Sequence, residues 1–304
     1  MTEKEIEQEY NPVITRVMAE RGQQHATRKN LFIKLEEELQ RPVVAYFTSF
    51  RYPVAVDDSD ADMLEGLLQA MDLSRGLVLM ISSPGGDGVA AERIIRVCKS
   101  YSGTGEFWAI VPGKAKSAAT MICLGASKIY MGPASELGPV DPQIIVLDDN
   151  NVPTYMSVCH VVDSYNNLFQ SAVKEKGRLE PYLQQLAKYD ASIIAHYNSI
   201  IALSRDISIK ALHSGMMSQQ SVSEIEEKIK VFLTPEQTKT HGRPIFRDVA
   251  SEAGLNIENI DTKGDLGRLI YELYIRAKFF ADSEVSKLIE SKVDSAYVYP
   301  PQER

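Results

Sequence analysis

Apolar residues in this chain fall into short runs separated by turn-forming clusters. Two periods alternate between them. Residues 31–39 carry a helical pattern, and 42–48 form the first run rich in strand formers. The acidic and serine-containing stretch Asp57-Asp58-Ser59-Asp60 precedes the apolar-periodic run 63–71 and marks a helix start. Residues 77–81 read as a strand that breaks at Gly85-Gly86 into a helix over 89–100, with apolar positions at Val89, Ala90, Ile94, Ile95, Val97 and Cys98. A second strand, 107–111, runs through a turn at Ser117 into a small-residue helix over 118–126. A short strand over 128–131 then precedes a proline- and glycine-rich segment, 133–142.

This alternation predicts an α/β fold with a largely parallel core. The spacing is shorter than in doubly wound sheets and suits a compact stack of repeated β-β-α units. From 161 to 217 the pattern is helical, without strands. This helical insertion packs either on the same core or on a neighbouring subunit. Residues 221–246 return toward the core, 266–276 form an amphipathic helix, and Pro300-Pro301 end the chain in a mobile tail. The domain reading is a polar N-terminal extension (1–30), a catalytic domain (31–265) and a C-terminal helix and tail (266–304). No internal repeat is visible.

Composition narrows the class. A chain of 304 residues has enough length for one large core or two modest ones. A net charge of -8 argues against nucleic-acid partners. The N-terminal residues are polar and acidic without a signal-peptide pattern, and no apolar run has the length of a membrane span, so a cytoplasmic location is expected. Cys98, Cys123 and Cys159 are few and widely spaced, which fits neither a disulfide framework nor a zinc site. The chain has no Gly-x-Gly-x-x-Gly fingerprint after a strand, and neither a cofactor nor a metal is expected.

The chemistry concentrates between Leu77 and Ile144. Ser117 follows a strand and opens a helix, where unpaired N–H groups and the helix dipole favour negative charge. The N–H of Ala118 and that of Gly86 are candidate oxyanion donors, because glycine lets the backbone approach a ligand closely. The plainer reading makes Ser117 only an N-cap. A nucleophilic serine needs a base. His25, His160, His196 and His213 lie in polar or helical settings without a surrounding motif. His241 lies in the turn-rich loop Thr240-His241-Gly242-Arg243-Pro244, either projecting into a cleft or simply solvated.

Several motifs together resemble a known family. They are Asp57-Asp58-Ser59, Ser83-Pro84-Gly85-Gly86, Lys116-Ser117-Ala118-Ala119-Thr120, Glu136-Leu137-Gly138-Pro139-Val140-Asp141-Pro142 and Thr240-His241-Gly242-Arg243-Pro244-Ile245. They are similar to the serine dehydrogenase proteinase family, within the superfamily of the Clp proteolytic subunit and signal peptide peptidase A. The resemblance implies a Clp/crotonase-like fold, homo-oligomers and a serine peptidase acting on peptides through an acyl-enzyme. It further implies Ser117 as nucleophile, His241 as base and Asp141 as its orienting acid. The Clp proteolytic subunit carries its histidine where this chain has Asp141 and its acid near His241, so the two partners look exchanged. Asp141 also fits an ordinary turn.

Three rivals remain at this stage. One is a Ser–Lys dyad using Lys174, Lys176, Lys114 or Lys116. Another is an acyl-CoA enzyme of crotonase type, and the third is a non-catalytic scaffold.

Overall fold

Strands whose alternate residues are apolar on both faces need cover on both sides, and this requirement sets the architecture. The computed structural model describes residues 13–20, 24–147, 153–234 and 240–300. The acidic N-terminal stretch and Pro301 of the expected tail lie outside these residues. Two helices come first, α1 (Val13–Ala19) and α2 (His25–Leu39).

The chain then repeats one structural unit: a long strand of the main sheet, a short extended segment in a second layer, and a helix. In the first unit β1 (Val43–Thr48) leads through Val56 to α3 (Asp58–Gln69). In the second β2 (Leu77–Ser82) leads through Ser83–Gly86 to α4 (Gly88–Tyr101). In the third β3 (Phe107–Val111) leads through β4 (Lys114–Ala115) to α5 (Ala118–Leu124). The fourth begins with β5 (Lys128–Met131) and β6 (Glu136–Leu137). The second-layer segments are laddered in parallel: Val56 bridges Gly86, Ser83 bridges Ala115, and β4 pairs with β6. This is the β-β-α stack the spacing predicts, a repeat of structure without a repeat of sequence.

Beyond the fourth unit come a hairpin, β7 (Gln143–Leu147) and β8 (Pro153–Ser157), and the helices α6 (Val158–Lys174), α7 (Glu180–Leu186) and α8 (Ala191–His213). These helices fill the expected insertion. The chain returns through α9 (Val222–Lys228), α10 (Lys230–Leu233), β9 (Ile245–Phe246), α11 (Arg247–Glu252) and β10 (Ile257–Asn259). It ends with α12 (Asp265–Ser283), β11 (Lys287–Ser291) and β12 (Ser295–Val298).

The main sheet has seven strands in the order β10-β5-β3-β2-β1-β11-β12. Alternation divides its side chains between two cores. Val44, Tyr46, Leu77, Leu79 and Ile81 pack with α3, α4 and α5, whereas Val43, Ala45, Phe47, Val78 and Met80 pack with α2 and α12. The second core explains why α2 starts at His25, upstream of the apolar run that announces it, and crosses the boundary expected at residue 30.

The C-terminal segment differs from the expected helix and tail. After α12 the chain re-enters the sheet, with β11 antiparallel to β1 and wholly buried. Its sequence, Lys-Leu-Ile-Glu-Ser, hides this because two of the buried positions are charged. Both are neutralised locally. Glu290 pairs with Arg28 of α2 at 2.6 Å, with both side chains fully buried. Lys287 Nζ lies 2.9 Å from Asp60 Oδ1. Removing one member of a buried pair strands the other charge. Arg28→Met is therefore expected to cost ~3–5 kcal/mol of unfolding free energy. Urea denaturation checks this, and a loss under ~1 kcal/mol would mean that the pair does not hold the C-terminal strand.

Candidate active site

The site begins where β2 stops being a strand. Ser83 ends its main-chain run with two ladder bonds, donating to the Lys114 carbonyl and accepting from the Lys116 N–H, each at 3.0 Å. Its hydroxyl accepts from the Gly85 N–H at 3.1 Å and from Thr48 Oγ1 at 2.9 Å, which shapes the turn. Gly85 then packs so closely on the next unit that a Cβ there would sit 2.7 Å from Ser117 Cβ and 2.5 Å from the Lys116 carbonyl oxygen. Gly86 is as tight on its other side, where a Cβ would meet Val56 N at 2.3 Å. Both glycines adopt positive φ. In the parallel bridge to Val56, the bonds run from Val56 N to the Gly85 carbonyl and from Asp87 N to the Val56 carbonyl. The N–H of Gly86 is therefore turned to the opposite edge, and Gly86 is exposed.

Ser117 sits at the top of α5 with φ 51° and ψ −118°, a conformation that a β-substituted residue holds only when its surroundings impose it. The plainer reading of Ser117 as an N-cap is not realised, because its side chain makes no capping hydrogen bond. The residue is half-buried, while Ala118, whose N–H begins the helix, is fully buried. Backbone bonds from Ala119 N to the Lys116 carbonyl and from Met121 N to the Ser117 carbonyl hold the turn.

Asp141 and His241 meet although they are 100 residues apart, at 2.6 Å between Nδ1 and Oδ1. Strand pairing brings their two segments alongside each other. β9 runs antiparallel to β6 with Leu137 opposite Ile245, and Asp141 and His241 each lie four residues beyond that rung. A carboxylate only accepts, so Nδ1 carries the proton and Nε2 is left with a free lone pair. The Asp141 side chain is 2% exposed and that of His241 18%, so the imidazole is the solvent-facing member. Among the described residues no hydrogen bond joins Ser117 to His241.

One residue outside the predicted set ties the two halves together. Thr120 Oγ1 donates to the Ala115 carbonyl at 2.7 Å and accepts from the Gly138 N–H at 3.0 Å. It lies fully buried three residues after Ser117, and Gly138 lies three before Asp141. The only signal in the sequence is a threonine in a helix otherwise made of apolar side chains. The lysines divide differently. Lys174 and Lys176 are exposed. Burial pushes the Lys116 ammonium below its ordinary range, with Glu136 opposing, and its Nζ is held by the Leu137 carbonyl at 3.1 Å and Glu136 at 3.4 Å. Among the described residues no His, Cys, Asp and Glu cluster is placed to hold a metal ion, and no helix is long and apolar enough to cross a membrane.

A β-β-α stack with a glycine-backed serine turn at its second layer defines a Clp-type serine-proteinase scaffold. The chain belongs to the family of ClpP-like SDH-type serine proteinases, whose model matches residues 13–164, half of its length. Ser117 and Asp141 lie inside the match and His241 beyond it. An uncharacterized protein of Methanocaldococcus jannaschii, MJ0137, is 36% identical over 91 residues. That stretch is 30% of this chain, and the chain spans about 30% of the length of that curated relative. Two solved structures of a membrane-bound stomatin-specific protease, 1510-N, are also similar. A lysine-to-alanine mutant in complex with a substrate peptide is 15% identical, covering 73% of this chain and 93% of that one at a TM-score of 0.32. A serine-to-alanine mutant is 14% identical, covering 68% and 93% at a TM-score of 0.29.

Thr120→Val keeps the shape of the side chain and removes both hydrogen bonds. It is expected to destabilise the fold by ~1–3 kcal/mol, measured by denaturant titration. A variant as stable as the parent would mean that Thr120 does not join the Ser117 and Asp141 segments.

Proposed function

We propose that the protein is a serine peptidase that hydrolyses peptide bonds through Ser117, His241 and Asp141. The observation that carries this reading is the Asp141–His241 hydrogen bond, which leaves Nε2 of the more exposed ring as a base. His241 Nε2 takes the proton of the Ser117 hydroxyl as Oγ bonds to the scissile carbonyl carbon. Asp141 fixes the ring's tautomer and stabilises the imidazolium. The oxyanion accepts from the N–H groups of Gly86 and Ala118. Collapse of the tetrahedral species breaks the C–N bond, and His241 delivers its proton to the leaving amine. Water, deprotonated by the same nitrogen, then cleaves the acyl-enzyme and restores Ser117. The strained Ser117 backbone fits this role, since the hydroxyl is not spent on a capping bond to the helix it opens.

A Ser–Lys dyad finds less support. Lys174 and Lys176 are exposed to solvent, and Lys116 is held by β6. Homo-oligomeric assembly is part of the proposal. The β7–β8 hairpin leaves Ile145 62%, Leu147 65% and Tyr155 72% exposed on one face, a patch suited to a partner surface. A cytoplasmic location belongs to it as well, and the buried thiols of Cys98 and Cys123 suit a reducing compartment.

Ser117→Ala and His241→Ala are each expected to lower kcat/KM on a cleaved peptide by at least ~10³-fold. Both should also stop covalent labelling by a serine-directed phosphonate without changing the circular dichroism. Labelling that persists in Ser117→Ala overturns the nucleophile. Activity kept in His241→Ala and lost in Lys174→Ala would establish a dyad instead. Binding of CoA esters by a chain that no phosphonate labels would point to acyl-CoA chemistry.

A further inference from the structure

The peptide group between Leu137 and Gly138 is gripped at both of its polar ends. Its carbonyl accepts from Lys116 Nζ at 3.1 Å, and its N–H donates to Thr120 Oγ1 at 3.0 Å. The two holders flank the Ser117 turn, one residue before it and three after. Lys116 is fixed along its whole length. Its N–H donates to the Ser83 carbonyl at 3.0 Å, and its own carbonyl accepts from the Ala119 N–H at 2.9 Å. Its stem lies on Gly138, where a Cβ would come within 2.7 Å of Lys116 Cδ. Glu136 Oε1, 3.4 Å from Nζ, supplies the counter-charge. A lysine in so short a strand is ordinarily solvated, and Lys114 of β4 is, with its side chain 58% exposed. The Lys116 side chain is 12% exposed, because it is laid across the next strand.

Side chains replace main-chain pairing at this point. β4 and β6 are parallel, with the Glu136 N–H on the Gly113 carbonyl at 2.8 Å. The next step of that ladder would set the Gly138 N–H on the Ala115 carbonyl. The Thr120 hydroxyl stands between them, bonded to both. Only Pro139 and Val140 then separate Gly138 from Asp141, and neither is slack. Pro139 has a fixed φ. Val140 is buried, and its N–H donates to the Phe232 carbonyl at 2.8 Å. A shift at Gly138 is therefore passed on to Asp141 rather than absorbed.

We propose that Lys116 is a positioning residue, which with Thr120 clamps the Leu137–Gly138 peptide and so sets the Asp141–His241 pair at its distance from Ser117, a role that presupposes the proposed triad. Its backbone belongs to the nucleophile turn and its amine to the acid segment, so the side chain is a strut between the two. The amine takes no part in proton transfer. It acts through Asp141, and its removal loosens the geometry of the site without removing a reacting group.

The test is steady-state kinetics of the full chain on a cleaved peptide, with phosphonate labelling of Ser117 beside it. Lys116→Met keeps the stem and removes the donor, and should lower kcat by about 10- to 100-fold with KM held within about twofold. Lys116→Arg keeps donor and charge and should recover most of the loss. Gly138→Ala removes no donor but displaces the Lys116 stem, and should lower kcat in the same way. Lys116→Met and Thr120→Val release the same peptide, so the double variant should lose at least about threefold less than the product of the single losses. An active parent whose kcat is unchanged in Lys116→Met overturns the clamp and leaves the triad standing. An unchanged kcat in Gly138→Ala does the same, whether or not Lys116→Met folds. Activity and labelling both abolished in Lys116→Met, and not recovered in Lys116→Arg, would make the amine a reacting group and overturn the positioning role. A parent that cleaves no peptide and takes no label at Ser117 removes the triad, and the positioning role falls with it.

Discussion

Three backbone segments converge on Gly85 and Gly86, and the candidate site depends on that contact. A Cβ on Gly86 would lie inside van der Waals distance of Val56, and one on Gly85 would collide with the Lys116–Ser117 backbone. Two adjacent residues without side chains let the first and third β-β-α units close on the second from opposite sides. The positive φ of Ser117 is the other half of the arrangement. Such a conformation costs on the order of 1–3 kcal/mol, and the bonds made by Ser83, Ala119, Met121 and Thr120 around it hold it in place. The turn is rigid because it is over-determined, which suits the nucleophile role proposed for Ser117.

Support for this contact extends to the C-terminus. Lys287 of β11 reaches Asp57 Oδ2 at 2.5 Å and both oxygens of Asp60 at 2.9 Å. Asp60 also accepts from the Tyr46 hydroxyl at 2.7 Å and from the Asp57 N–H at 2.8 Å. Asp57 and Asp60 form the capping box of α3 and immediately follow Val56, the residue against which Gly86 packs. A strand more than 200 residues away thus pins the segment that positions one proposed oxyanion donor. The acidic cluster ahead of α3 serves as a helix cap and as the counter-charge for a buried lysine.

These relations explain what could be read from the sequence. Residues 77–131 were legible because apolar strands, a Gly-Gly turn and small-residue helices are local signals whose period fixes the element. The Ser117 turn was legible as a strand-to-helix junction, whereas the nucleophile role assigned to it came from the resemblance. The C-terminal hairpin was not, since Lys287 and Glu290 look like surface charges until Asp60 and Arg28 stand beside them. The β7–β8 hairpin was missed for a related reason. Its strands are short and half-exposed, and they directly adjoin a long helical stretch. Thr120 stands out only as a polar residue in an apolar helix, and its role appears only when Gly138 arrives from the next unit.

The resemblance singles out Asp141 and His241, and the β6–β9 pairing brings their two segments alongside each other. Across an antiparallel rung, residues equally far from it on the same side are neighbours. The Leu137–Ile245 rung sets the two chains side by side, and both leave the ladder before they reach Asp141 and His241. In the proposed triad the histidine and the carboxylate stand exchanged relative to the positions implied by the resemblance to the Clp proteolytic subunit. The trade is not symmetrical in solvation. The carboxylate on the 141 side is almost wholly buried, and the ring on the 241 side keeps contact with solvent. A base must reach the serine and exchange protons with water, whereas its acid partner is most effective where water does not screen it. The Asp141 and His241 side chains divide along that line, the carboxylate buried and the ring at the surface.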